Sequence, residues 1–277
     1  MRNEVSAQRM LTAIIAAIFD SGDRFVLDGS FCEQIGPFIE LESQAAKSPE
    51  QLAQELGGAK DLLDFGCGTA DHRPMLESFG YRWSGVNYRA GMAREAAQRS
   101  NEDPAISFYD GLILPYEDAS FDLVYSFQVF EHIQRPDVTF SEIRRVLRPG
   151  GALIGAVSYL EQIHDYSTFN FTPYGFKVAC DQGGLEVRKI YPRFDAFSWL
   201  LYRLLVVTSA TDENSINPSL SPNNEIHRLF EAYGRKMGRP DKEINLMRLM
   251  FCSHYTFHAV RECAIELAPD FGTNGVV

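Results

Sequence analysis

Short apolar runs alternate with helix-period segments through the middle of the chain. Lys60 to Phe65 is apolar after a Gly57-Gly58 break, and its length predicts a buried strand. Arg82 to Val86, Ala105 to Tyr109, Phe121 to Ser126, Gly151 to Val157 and Leu185 to Tyr191 repeat that signal. Between them, Pro74 to Phe79, Gly91 to Arg99, Val138 to Leu147 and Pro173 to Cys180 carry helical spacing. Tyr255 to Val260 alternates and predicts a last strand. Strands separated by helices imply an α/β fold, with a parallel sheet covered on both faces.

The ends of the chain read differently. Residues 1 to 57 are mostly helical, with a break near Asp28-Gly29-Ser30. The apolar run Leu11 to Phe19 is too short to span a bilayer, which takes ~20 residues. Glu4 and the Phe19-Asp20 pair oppose a signal peptide, so the run is read as a buried or lid-forming helix. From Phe194 to Met250 the pattern is helical, broken by a polar stretch at Thr211 to Asn224. The expected organisation is an N-terminal helical lid (1–57), an α/β core (58–193), a helical insertion capping the acceptor site (194–252), and a final strand with a tail (253–277).

Composition narrows the function. The 277 residues suit one α/β domain with appended pieces, and a net charge of −11 opposes a nucleic-acid partner. Cys32, Cys67, Cys180, Cys252 and Cys263 are scattered and form no CxxC pair. That argues against a metal site or a disulfide framework, and fits a reducing, cytoplasmic compartment.

Asp64-Phe65-Gly66-Cys67-Gly68-Thr69-Ala70 follows the first strand and precedes a helix. Ligands in open α/β sheets sit beyond strand carboxyl ends, and glycines there admit close backbone approach. A dinucleotide fingerprint needs GxGxxG, but the third position is Asp71, whose carboxylate opposes a pyrophosphate. An NAD-dependent oxidoreductase is therefore disfavoured. A ligand without phosphate is not, and Asp64 offers a carboxylate for an ammonium group.

Leu62-Leu63-Asp64-Phe65-Gly66-Cys67-Gly68 resembles the first motif of class I S-adenosylmethionine-dependent methyltransferases. The resemblance runs from Lys60 to Tyr191. It implies a Rossmann-like, seven-stranded sheet with an antiparallel last strand, and S-adenosylmethionine as cofactor. It also implies that Asp64, Gly66, Cys67 and Gly68 hold the methionine end. Two positions depart from the family pattern. Ala70 stands for its third glycine, which a negative φ would accommodate. Asn87, 23 positions after Asp64, stands for the acid that accepts the ribose hydroxyls. An amide keeps one acceptor, so ribose pairing weakens by ~1 kcal/mol. By the same resemblance Tyr88 ends the second strand and Met92 packs on the adenine. Asp110 and Gly111 read the adenine edge, and Gln128 stands between cofactor and substrate. Asp122 is taken as structural.

A hydroxyl acceptor needs its proton removed, and histidine suits that task. His132 follows the fourth strand and His164 the fifth, at ends that open toward the cofactor crevice. Either can be the base, and either can instead pack or bond its loop. Asp165 beside His164 is no evidence of a dyad, because neighbours on an extended chain point apart. The aromatics Phe197, Trp199, Tyr202, Phe230 and Tyr233 either line an acceptor pocket or fill a helical core. The expected partner is a small metabolite, natural product or glycan intermediate. No membrane or nucleic-acid partner is expected, and the sequence leaves oligomeric state open. A degenerate cofactor-binding protein without catalysis is the alternative.

Overall fold

The computed structural model describes residues 2–38, 47–88, 103–208, 220–221 and 223–263, with the side chains of 2–5 and 31 left aside. The predicted helix from Gly91 to Arg99, and Met92 within it, lie outside these residues.

The strands are β1 Asp61–Phe65, β2 Arg82–Tyr88, β3 Ile106–Tyr109, β4 Phe121–Phe127, β5 Leu147–Ser158, β6 Glu186–Pro192 and β7 His254–Val260. They form one sheet in the order β3-β2-β1-β4-β5-β7-β6. β1 to β5 pair in parallel, and β7 runs antiparallel between β5 and β6. This is the expected Rossmann-like architecture. β1 lies between β2 and β4, so strand order reverses at its carboxyl end. β5 starts earlier than its apolar run, because Leu147 already pairs with Phe121 before the Pro149-Gly150 turn.

Central parallel strands are covered on both sides and read as continuous apolar runs. Their period of two divides the core. Leu63, Phe65, Val124, Leu153 and Val157 face one cluster, and Leu62, Leu123, Tyr125, Ala152 and Ile154 face the other. Helices α1 Arg2–Ser21, α2 Gly29–Ile35, α3 Pro49–Glu55, α4 Arg73–Ser78, α5 Pro136–Val146 and α6 Pro173–Gln182 precede β6 in the chain. α5 and α6 cover the first face with Phe140, Ile143, Phe176 and Cys180; α3 and α4 cover the second with Leu52, Ala53 and Leu76. A capping box fixes the start of α3: Gln51 N–H donates to Ser48 Oγ, and Ser48 N–H donates to Gln51 Oε1.

Helices α7 Ala196–Val207, α8 Glu225–Lys236 and α9 Asp241–Met250 lie between β6 and β7, where the sequence reading expects an insertion. Ile15 and Phe25 pack there against Ile226, Phe230 and Met247, so α1 joins the insertion helices in a third cluster. The Leu11 to Phe19 run, expected to be buried or lid-forming, buries Ile15 while Ile14 and Ile18 stay exposed. Among the described residues no helix is long and apolar enough to cross a membrane.

Candidate active site

The loop after β1 turns through positive φ at Gly66 (+75°), Gly68 (+54°) and Ala70 (+63°). The two glycines are needed for different reasons. A Cβ on Gly66 would meet Val129 Cγ2 at 2.5 Å, so that position is closed by packing. A Cβ on Gly68 would meet nothing within 4 Å, leaving an open cradle above the backbone. That space fits close approach by the methionine end of S-adenosylmethionine. Ala70 corrects the expectation of a negative φ. The backbone keeps the left-handed turn and carries a methyl group on it, at a cost of ~1–2 kcal/mol.

Asn87 is bonded to the loop itself. Its Oδ1 accepts the Gly68 N–H at 2.8 Å and its Nδ2 donates to the Gly68 carbonyl at 3.0 Å. An amide matches a peptide unit group for group, so Asn87 clamps the cradle loop. Asp64 is turned inward, 2% exposed, and accepts the Trp83 Nε1–H at 3.2 Å. Burial pushes its carboxyl up to about 7, only partly offset by the indole. Cys67 packs in the same cluster, its thiol pushed up to about 12 by burial and by Asp64.

Two cavities lie beyond the strand ends. The smaller, about 90 Å³, brings together the predicted Tyr88, Asp110 and Gly111 with Tyr109 and His132. Asp110 Oδ1 accepts the N–H groups of Leu112 (2.9 Å) and Ile113 (3.1 Å), which hold its carboxyl below the usual range. Tyr109 Oη is buried with no hydrogen-bond partner. The larger, about 400 Å³, is lined by Phe127, Gln128, His132, Glu161, His164 and Arg193 among others. His132 borders both. Gln128, at φ +55°, is a non-glycine residue held in the left-handed region where β4 turns into the site. Trp199 lines the larger cavity. Tyr202 and Phe230 are buried, and Phe230 packs with the cap cluster.

The His132 and His164 rings meet edge to face, 5.1 Å apart. Burial lowers the His132 pKa, and His164 acts in the same direction. His164 Nδ1 lies 3.0 Å from Glu161 Oε1. Glu161 is also bonded to His254 Nε2 and accepts from Ser158 Oγ at 2.8 Å. Burial opposes its ionisation, but the His254 and His164 imidazoles and Ser158 outweigh it and hold the carboxyl low. A carboxylate accepts only, so Nδ1 of His164 carries the proton and Nε2 is left as the basic nitrogen.

Ser158 Oγ also lies 3.0 Å from Glu131 Oε1 and 2.9 Å from Gln128 Oε1. One hydroxyl proton cannot serve three acceptors. The count closes when Glu131, pushed up to about 7 by burial, donates its own proton to Ser158 and the Gln128 amide turns its Nε2 toward the hydroxyl, which then donates to Glu161. Glu131, His132 and His164 place one ligating atom each within 4.8 Å of one another. That grouping was not anticipated by a sequence reading that assigned no metal.

Sequence reasoning missed Glu161, Ser158, His254 and Arg193. The carboxylate partner of His164 stands three residues earlier, in a strand-end loop with no periodicity to orient it. His254 opens β7, nearly a hundred positions away in the chain.

Residues 63–155 match the methyltransferase domain family. The chain is 33% identical to a sterol 24-C-methyltransferase of Gibberella zeae, over 42% of this chain and 32% of that one. It is also 33% identical to a malonyl-[acyl-carrier protein] O-methyltransferase of Hahella chejuensis, over 41% and 42%. The chain thus spans a third to two fifths of these curated relatives. A putative sarcosine dimethylglycine methyltransferase from Galdieria sulphuraria superposes with a TM-score of 0.49 and 15% identity, over 84% of this chain and 97% of that chain. The matched segment runs from the middle of β1 into β5 and contains the cradle loop, the Asp110 turn and the β4 end. That segment is thus similar to a methyltransferase domain, and the sheet order around it is the Rossmann-like one expected from the sequence.

Proposed function

We propose that the protein transfers a methyl group from S-adenosylmethionine to an oxygen, less readily a nitrogen, of a small metabolite, natural product or glycan intermediate. The observation that carries this reading is the Glu161–His164 pair in the wall of the 400 Å³ cavity. The cofactor supplies an electrophilic methyl group on a sulfonium. Gly68 and its neighbours Gly66 and Cys67 would hold the methionine end, and Asp64 beneath the loop favours an ammonium group above it. Tyr88, Asp110 and Gly111 would hold the adenosyl end. Gln128, in the lining of the larger cavity, would stand between cofactor and acceptor. His164, with Nδ1 fixed by Glu161, takes the proton of an acceptor hydroxyl at Nε2. His132 remains the second candidate for that role.

Two measurements test the reading. Calorimetric titration should show S-adenosylhomocysteine binding at low-micromolar Kd, about −8 kcal/mol, and no NAD binding. Turnover against a panel of hydroxyl and amine acceptors should then favour hydroxyls. NAD binding without S-adenosylhomocysteine binding would overturn it. A second reading, a cofactor binder without catalysis, is favoured by the Asn87 clamp on Gly68, which occupies the amide expected at the ribose. Cofactor binding without turnover on any acceptor would select it.

A further inference from the structure

The larger cavity is lined by two chemically different sets of side chains. One comprises His132, His164, Glu161 and Asp165 from the loops after β4 and β5. The other comprises Arg193, Trp199 and Arg203, from the segment that leaves β6 and enters α7.

Arg193 is 8% exposed. Its main chain is tied across the sheet end, N–H to the His254 carbonyl at 3.0 Å. Its guanidinium lies over the rings of Phe127 (5.3 Å) and Phe194 (5.0 Å), which fixes its plane. Burial lowers its pKa, with the Glu50 carboxylate and Tyr125 acting the other way. Its Nε is buried without a hydrogen-bond partner, and so is Trp199 Nε1. Buried donors are almost always paired, so two unmet donors on side chains that line the same cavity point to an acceptor group there. A guanidinium in apolar surroundings prefers that acceptor to be anionic. Gln162 lines the same cavity, and its buried Oε1 also lacks a partner, which suits a hydroxyl donor.

We propose that the methyl acceptor is a small hydroxylated anion, its carboxylate or phosphate seated on Arg193 and Trp199 and its hydroxyl turned toward His164. The inference rests on the methyltransferase reading and adds the acceptor's charge class to it. A cavity of about 400 Å³ limits the buried part of that acceptor to small-molecule size.

The test is calorimetry on the protein saturated with S-adenosylhomocysteine, using inorganic phosphate, malonate and neutral glycerol as probes. Phosphate or malonate, or both, should bind with millimolar Kd while glycerol does not, and the better anion identifies the headgroup. Arg193→Gln should weaken anion binding at least tenfold. Trp199→Phe, which keeps the ring and removes the N–H, should weaken it severalfold. S-Adenosylhomocysteine affinity should stay within twofold in both. If Arg193→Gln does not fold, Trp199→Phe and Arg203→Gln carry the comparison. Absence of anion binding, or equal binding by the variants, overturns the proposal. So does an Arg193→Gln protein that loses S-adenosylhomocysteine but keeps methylthioadenosine, since the arginine would then hold the cofactor's own carboxylate. A wild type that fails to bind S-adenosylhomocysteine removes the methyltransferase reading and this inference together. One that binds it but no anion removes the inference alone.

Discussion

At Ala70 a methyl group stands on a backbone with φ +63°, where an L-residue is strained and glycine is not. Ala70→Gly should therefore stabilise the protein by ~1 kcal/mol, read as a higher urea midpoint at unchanged slope. Glycine's greater freedom in the unfolded chain offsets part of the gain. Asn87 predicts the opposite sign. Replacing it with Asp sets a carboxylate oxygen against the Gly68 carbonyl that Nδ2 now satisfies. Asn87→Asp should lower stability by ~1–3 kcal/mol and weaken S-adenosylhomocysteine binding, both measured by thermal shift with and without ligand. Tighter binding would restore the ribose role inferred from the sequence. The motif itself was legible at these positions because its glycines punctuate a strand end. The direction in which Asn87 faces was not, since an amide at a strand end serves ligand and loop equally well.

Asp64 adds a pH dependence at the same scale. Burial raises its folded pKa to about 7, above the ordinary carboxylate value of 3.8. Its contribution to stability is thus fully present below about pH 4, falls as pH rises, and is lost above about 7. Asp64→Asn keeps an acceptor for Trp83 Nε1 without the charge. Variant and wild type should have similar Tm at pH 4.5, and the variant should be the more stable at pH 8. Parallel Tm curves would show that Asp64 does not ionise in this range.

The strands were readable as elements because burial on both faces makes them apolar throughout, and β1, β4 and β5 show little polar alternation. The cap was less readable. α9 sends Leu246 and Leu249 into the main core and Met247 into the cap cluster, so its apolar pattern belongs to two surroundings at once. One glycine shows how closely the central strands approach. A Cβ on Gly155 in β5 would lie 1.8 Å from the Ser126 carbonyl oxygen of β4. That carbonyl belongs to the neighbouring strand and cannot retreat without opening the sheet beside the site. Gly155→Ala should cost more than the ~1–3 kcal/mol of ordinary overpacking and yield a protein with no cooperative thermal transition. A folded variant with wild-type Tm would mean that β4 and β5 can separate there.

The whole molecule brings four segments to one proton network: the turn after β4, the end of β5, the loop carrying His164, and the start of β7. Glu131, His132 and His164 could be either a metal cage or parts of a base. Glu161 serves either use, because a carboxylate on Nδ1 of His164 leaves Nε2 equally fit to take a proton or a metal ion. In the base reading methyl transfer should survive dialysis against EDTA. Activity lost on chelation and restored by a divalent cation would make these side chains ligands. In the base reading Glu161 is a positioning residue, acting through His164 on the acceptor proton. Glu161→Gln presents an amide that can hold either imidazole tautomer, so part of the population carries its proton on the catalytic nitrogen. Single-turnover rates should fall by as much as the ~10²–10⁴ that base catalysis contributes, with S-adenosylhomocysteine affinity unchanged. His164→Gln should show the full loss, and His132→Gln a small one. The pH profile separates positioning from mere support. Without the Glu161 charge an imidazolium is less favoured, so the acid limb of the rate should move to lower pH in Glu161→Gln. A uniform rate loss with an unmoved limb would leave Glu161 structural. A full loss in His132→Gln instead of His164→Gln would transfer the base to the other ring.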